Sequence, residues 1–173
     1  MRFSLGRPVW FAQERAGHGG ENFTLVKFRS MTDARDQDGN LLTDEERVTA
    51  IGGFLRRFRL DELPELWLIL MGEMSLVGPR PLFKDTVNGF GPLGEKRGHV
   101  RPGLTGWAQV NGNTLLDPEA KIAMDIWYVD HRSFWLDMRI LIKTIGVVIF
   151  GERLDQQSVN QAVDYAFGSD RRR

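Results

Sequence analysis

Asp61 and Glu62 stand side by side in the run Arg59-Leu60-Asp61-Glu62-Leu63-Pro64-Glu65-Leu66, and Ser75-Leu76-Val77-Gly78-Pro79-Arg80-Pro81 follows one apolar segment later. Adjacent carboxylates offer two functions: one can attack an electrophile while the other holds a divalent cation. Neighbours on a helix point about 100° apart, so both can line one edge of a cleft. A guanidinium between two prolines offers a third function. Fixed backbone on both sides lowers the entropy lost when its fork closes on phosphate oxygens. Together these residues point to phosphoryl chemistry. Each also has a plainer explanation: an acid in the first turn of a helix is favoured by the helix dipole whatever its role. A proline-stiffened arginine can equally serve a turn by pairing with a surface carboxylate.

Arg56, Arg57 and Arg59 raise the positive charge just before the carboxylates, although such a run is commonly a solvated helix face. Lys27-Phe28-Arg29-Ser30-Met31 closes a candidate strand, where alternation sends Lys27 and Arg29 to one face and within reach of a shared anion. Gln109 and Asn111 alternate in the same way, and for both pairs an exposed strand face is the simpler reading. Asp125 and Tyr128 lie three apart on an expected helix, where they can bond locally. His131 reads as a loop or cap residue.

The 173 residues suit one domain with a core, followed by a loose tail; the expected division is 1–154 and 155–173. Basic and acidic residues balance at 23 each, so no general field favours nucleic acid, and phosphate binding must be local. With no cysteine, disulfides and thiolate metal sites are excluded, and the three histidines are not at ligand spacing. No uncharged apolar run reaches the ~18 residues of a membrane span, and the first five residues lack the apolar core of a signal peptide. Residues 54–71 and 134–150 mix aromatic, apolar and basic groups as an interfacial helix does. Composition favours the alternative, core-facing helices with charges turned to water.

The patterning predicts an α/β fold: a small β-sheet or hairpin with surrounding amphipathic helices. Residues 9–13 and 23–29 read as the hairpin, turned at His18-Gly19-Gly20. Residues 31–47 read as a long exposed loop, a possible mobile cover, with a short helix from Thr43. Residues 48–58 read as a helix, and a second runs from Asp61 through Pro64 to Gly72, placing the acidic pair at its start. Prolines and glycines break residues 79–92 into turns, and 99–112 reads as a strand or extended loop. Asp117-Pro118-Glu119 and Ser133 each start a further helix. Residues 155–173 read as a short helix with a frayed basic end at Arg171-Arg172-Arg173.

Five segments taken together carry a resemblance: Gln13-Glu14-Arg15-Ala16-Gly17, residues 27–31, Leu60-Asp61-Glu62-Leu63-Pro64, residues 74–81, and Arg101-Pro102-Gly103-Leu104-Thr105-Gly106-Trp107-Ala108-Gln109-Val110-Asn111-Gly112. In order and length they resemble the bacterial sugar transferase family, the monotopic polyprenyl-phosphate phosphoglycosyl transferases, from about residue 6 to about residue 151. The resemblance implies transfer of a sugar-1-phosphate from a UDP-sugar to undecaprenyl phosphate, with release of UMP, at the cytoplasmic face of the bacterial inner membrane. By motif position, Asp61 becomes the nucleophile that forms a phosphosugar intermediate, Glu62 the Mg²⁺ ligand and Arg80 a phosphate-binding group, with Arg56 a further candidate. Lys27, Arg29, Gln109, Asn111 and Asp125 complete the candidate substrate-binding set.

Members of that family carry an apolar re-entrant helix before the segment matched by residues 6–13. This sequence opens without one. The expectation is either a fragment or a chain that docks through its amphipathic segments, with poor solubility or self-association. Two other activities use the same residues: a non-catalytic nucleotide-sugar-binding or membrane-docking module, and a Mg²⁺-dependent hydrolase with water as the acceptor.

Overall fold

The computed structural model describes residues 8–168; the basic end at 171–173 and the first seven residues lie outside it. Strands β1 (Trp10–Ala16) and β2 (Asn22–Phe28) form the expected antiparallel hairpin, with Trp10 opposite Phe28 and Ala16 opposite Asn22. Its turn is a 3₁₀ segment, His18–Gly20, where Gly19 and Gly20 take φ of 64° and 78° that side-chain-bearing residues resist. β1 runs three residues beyond the segment read from sequence, because Glu14 and Arg15 pair with β2 in spite of their polarity.

The loop after β2 is pinned by short antiparallel bridges, Met31 with Val48 and Arg35 with Leu41. Thr43 and Glu46 form a reciprocal capping box that starts α1 (Asp44–Arg47), as the Thr-x-x-Glu spacing predicts. Thr49 caps α2 (Ala50–Arg57). The next helix differs from the expectation. Leu60–Glu62 is a separate 3₁₀ turn, and α3 (Glu65–Leu70) begins only after Pro64, which lacks an N–H and fits a helix start better than an interior.

β3 (Ser75–Val77) and β4 (Gly103–Thr105) pair in parallel, a second two-stranded sheet that the sequence did not announce. Between them lie α4 (Lys84–Gly89) and α5 (Pro92–Arg97), in a stretch read as turns. The extended reading of residues 99–112 holds only for β4; α6 (Trp107–Val110) follows at once and is fully buried. Gln109 and Asn111 therefore do not alternate along a strand.

Asp117 caps α7 (Pro118–His131) and Ser133 caps α8 (Phe134–Phe150), both as expected. α7 is buried on most sides, with Ala123 and Met124 wholly inaccessible. Its core neighbours include Val77 of β3, Trp107 of α6 and Ile140 of α8. The short helix expected after residue 154 is present as α9 (Gln156–Phe167), but it is docked rather than loose: its Val159 and Ala162 join this core. A smaller cluster of Leu25, Leu68 and Met74 fastens α3 to the hairpin.

α3 and α8 meet the core-facing expectation for the amphipathic segments only in part: Leu68 and Ile140 are buried, but much of the remaining apolar surface faces outward. Trp67, Leu70 and Met71 are 63–77% exposed, as are Phe134, Ile142 and Phe150, while Trp135 reaches 79%. Among the described residues no helix is long and apolar enough to cross a membrane.

Candidate active site

The chain reverses direction between α2 and α3, and that reversal builds the site. Arg59 adopts a left-handed backbone with φ 54° and ψ 25°, a strained conformation for a residue with a side chain. Its guanidinium is held on both sides, 3.3 Å from Glu62 and 3.7 Å from Glu152. The turn that follows places Asp61 and Glu62 on the wall of a cleft of about 720 Å³. Lys27 and Arg29 reach this cleft from β2 and its end, Arg56 and Arg57 from the last turn of α2, and Arg80 from the loop after β3.

The two adjacent acids have opposite surroundings. Glu62 is 6% exposed and meets Lys27 at 3.0 Å, Arg80 at 3.2 Å and Arg59 at 3.3 Å. Burial pushes its pKa up, but those three cations outweigh burial and hold it at about 2. Asp61 has no ion-pair partner among the described residues. Burial raises its pKa, the Glu62 charge raises it further, and Lys27 and Arg56 only partly oppose this. The result is one clamped carboxylate beside one unclamped, more basic carboxylate.

A third acid lies behind them. Lys27 also pairs with Glu65 at 3.1 Å, and Glu65 is nearly inaccessible, in a small chamber of about 90 Å³ shared with Arg15 and Arg80. Burial raises its pKa to about 6 even with Lys27 alongside.

The donor set can be tested against a hard cation. Among the described residues no three acids or histidines form a metal-binding group. Mg²⁺, however, commonly takes one or two carboxylates and completes its shell with water and substrate phosphates. The repulsion that Glu62 imposes on Asp61 is the kind that a bound cation relieves, so the residues fit such a shared site.

The family model for bacterial sugar transferase matches residues 1–151. The chain belongs to this family. It is 47% identical over 156 residues to the sugar transferase EpsL of Bacillus subtilis, covering 90% of this chain and 77% of that relative. It is 40% identical over 152 residues to the UDP-N-acetylgalactosamine-undecaprenyl-phosphate N-acetylgalactosaminephosphotransferase of Aeromonas hydrophila, covering 83% and 36%. Against the UDP-glucose:undecaprenyl-phosphate glucose-1-phosphate transferase of Xanthomonas campestris pv. campestris, identity is 38% over 169 residues, covering 88% and 34%. The chain thus spans about a third of the two longer relatives.

In this sugar transferase, six of the residues singled out from sequence meet at one cleft: Lys27, Arg29, Arg56, Asp61, Glu62 and Arg80. Asp125, Gln109 and Asn111 do not line it. Asp125 is buried in α7 and receives Arg97 Nε at 2.7 Å rather than bonding Tyr128, whose hydroxyl donates to Asp137 at 2.9 Å. Arg97 also donates to the carbonyl oxygen of Arg80, so Asp125 braces the arginine loop from behind. Removing one partner of such a buried pair costs about 3–5 kcal/mol. Asn111 is wholly buried, donating to the Trp107 carbonyl at 2.8 Å and accepting from Lys143 at 2.5 Å. Gln109 is packed beside it in α6, with both side-chain polar atoms buried and without a hydrogen-bond partner among the described residues. His131 ends α7, with Nδ1 2.8 Å from the Trp127 carbonyl oxygen, consistent with a cap residue.

Several cleft residues escaped the sequence reading. Asn113 and Thr114 hold the Glu152 carboxylate, through the Thr114 N–H at 3.2 Å and short bonds from both side chains. Burial raises the pKa of Glu152, and the bonds from Thr114 and Asn113 more than reverse this. Arg15 was visible within the Gln-x-Arg segment, but nothing in its spacing distinguished it from an exposed strand arginine.

Proposed function

We propose that the chain transfers a sugar-1-phosphate from a UDP-sugar to undecaprenyl phosphate through two displacements at Asp61. The observation that carries this reading is the contrast between its two adjacent acids, one unpaired and basic on the cleft wall, the other clamped by three cations. An Asp61 oxygen attacks the phosphorus that bears the sugar, and the bond from that phosphorus to the bridging oxygen breaks. UMP departs with the bond's electron pair and leaves an aspartyl phosphosugar. A phosphate oxygen of the polyprenyl acceptor then attacks the same phosphorus, releases the Asp61 carboxylate and yields a diphosphate-linked sugar lipid.

Arg80 and Arg56 line the cleft with Asp61 and would hold the phosphate charge, and Lys27 and Arg29 would extend that field along the hairpin. Glu62 would hold Mg²⁺ at the substrate phosphates, where the ion's charge would offset that of the diphosphate. The undecaprenyl-phosphate substrates named for the Aeromonas and Xanthomonas relatives support the choice of donor and acceptor. The exposed apolar faces of α3 and α8 support a resting place on the cytoplasmic face of the inner membrane, where a polyprenyl phosphate presents its headgroup.

The test incubates detergent-solubilised protein with a panel of UDP-sugars, Mg²⁺ and undecaprenyl phosphate, and follows UMP. Asp61→Asn is expected to lower UMP release on the order of a thousand-fold or more, and mass spectrometry of the unsubstituted protein to find a phosphosugar on Asp61. UMP release unchanged in Asp61→Asn removes the nucleophile assignment. UMP formed equally without lipid makes the chain a hydrolase.

A further inference from the structure

Most cations of the cleft already have acidic partners: Lys27, Arg59 and Arg80 on Glu62, Arg29 on Asp33, and Arg47 near Asp33 and Asp44. Arg15 differs from them. Among the described residues no carboxylate lies within ion-pair distance of it, and its Nε is buried without a hydrogen-bond partner. The side chain rises from β1 and lines both the cleft and the small chamber behind Glu62, in each case together with Arg80. Its guanidinium carbon sits 3.7 Å from the centre of the Phe83 ring, which also lines the cleft, and Gln13 Oε1 accepts from Nη2.

Stacking and one side-chain acceptor orient the guanidinium plane while leaving donors unused. Burial lowers the Arg15 pKa, and the positive charge of Arg80 lowers it further, with Glu65 opposing only in part. Two guanidiniums thus share a wall and repel each other across it. A bridging anion with several oxygens would relieve that repulsion and take up the free donors.

We propose that Arg15, seated over the Phe83 ring and lining the cleft with Arg80, is the second arm of a two-arginine subsite for the phosphoryl oxygens of the nucleoside diphosphate donor. This inference deepens the proposed function and rests on its diphosphate donor. Arg15 acts as a binding residue: it makes no bond to carbon or phosphorus, and it sets where the diphosphate lies relative to Asp61.

The test uses inorganic pyrophosphate as the probe, with calorimetric titration of the full chain. Arg15→Met keeps an unbranched stem against Phe83 and removes the charge; it is expected to weaken pyrophosphate binding on the order of ten-fold or more with an unchanged unfolding midpoint. Arg15→Lys restores the charge without the fork and is expected to fall between Arg15→Met and the unsubstituted chain. A second measurement needs no variant: pyrophosphate is expected to slow phenylglyoxal modification of Arg15, mapped by mass spectrometry. Unchanged affinity in Arg15→Met, or an unprotected Arg15 while pyrophosphate is bound, overturns the subsite and leaves the donor assignment standing. An unsubstituted chain that binds neither pyrophosphate nor any UDP-sugar overturns both.

Discussion

Asp61 and Glu62 are chemically similar neighbours with separate fates, and the separation comes from which cations each one meets. Glu62 lies within 3.3 Å of three of them and stays ionised down to about pH 2. Asp61 meets none at that distance and would be the better nucleophile of the two, because a raised pKa accompanies greater basicity. Glu65 allows a pH test of the same electrostatics. Its pKa rises from an ordinary 4.5 to about 6 in the fold, so its proton favours the folded state. That contribution is fully present below pH 4.5 and is lost as the pH rises through about 6. Urea unfolding at pH 4.5 and pH 7 is expected to show that Glu65→Gln removes this loss, which amounts to at most about 2 kcal/mol. Identical pH dependence in the two proteins would mean that Glu65 is solvated rather than enclosed. The sequence marked Asp61, Glu62 and Arg80 as a phosphoryl-transfer set, but not Glu65, since an acid near a helix start is ordinary on charge grounds.

At the scale of elements, α2 carries Arg56 to the cleft, and two consecutive glycines decide how close it comes to the chain after β2. A β-carbon on Gly52 would fall 1.8 Å from the carbonyl oxygen of Ser30, whereas one on Gly53 would meet Val48 at an ordinary 3.7 Å. Gly53→Ala is therefore expected to stabilise the protein by about 0.5–1 kcal/mol through helix propensity. Gly52→Ala should instead cost about 1–3 kcal/mol, because backbone must move to admit the methyl group. It should also lower activity by displacing Arg56. Thermal unfolding of the two variants checks the contrast, and equal shifts would show that α2 does not press on Ser30. Capping residues made three helix starts readable, those at Thr43, Asp117 and Ser133. Short elements were not readable: β3, α4, α5 and α6 have three to six residues each, too few for a period to emerge. Gln109 and Asn111 were misplaced for that reason, as their spacing of two fits a strand as well as one turn of a buried helix.

The molecule builds its larger core around α7 and turns apolar faces of α3 and α8 outward. Large exposed apolar surface has a cost in water that a bilayer interface removes. Co-sedimentation with phospholipid vesicles is expected for the unsubstituted chain and should weaken on the order of ten-fold or more when Trp67→Ser and Leu70→Ser are combined. Each apolar side chain is worth about 1.5–3 kcal/mol on full burial. Those residues are 65% and 77% exposed, so the unfolding midpoint should hardly change. Unaltered partitioning would exclude α3 from the docking surface. The same scale explains why the short helix read after residue 154 is docked rather than loose: Val159 and Ala162 become a buried face only against α7.

By itself the sequence determined the family, the hairpin, the long capped helices and the acidic pair with its proline-flanked arginine, because each is local: a motif, a cap or a period carried by neighbouring residues. Only the tertiary structure decided which charges share a cavity. It drew Lys27, Arg59 and Arg80 onto Glu62 and left Asp61 unpaired, sent Asp125 to brace Arg97, and stacked Arg15 on Phe83. Except for Arg59 and Glu62, which are near neighbours, those partners lie many residues apart in the chain, and Coulomb interaction and desolvation depend on distance and burial in space rather than on order in the sequence.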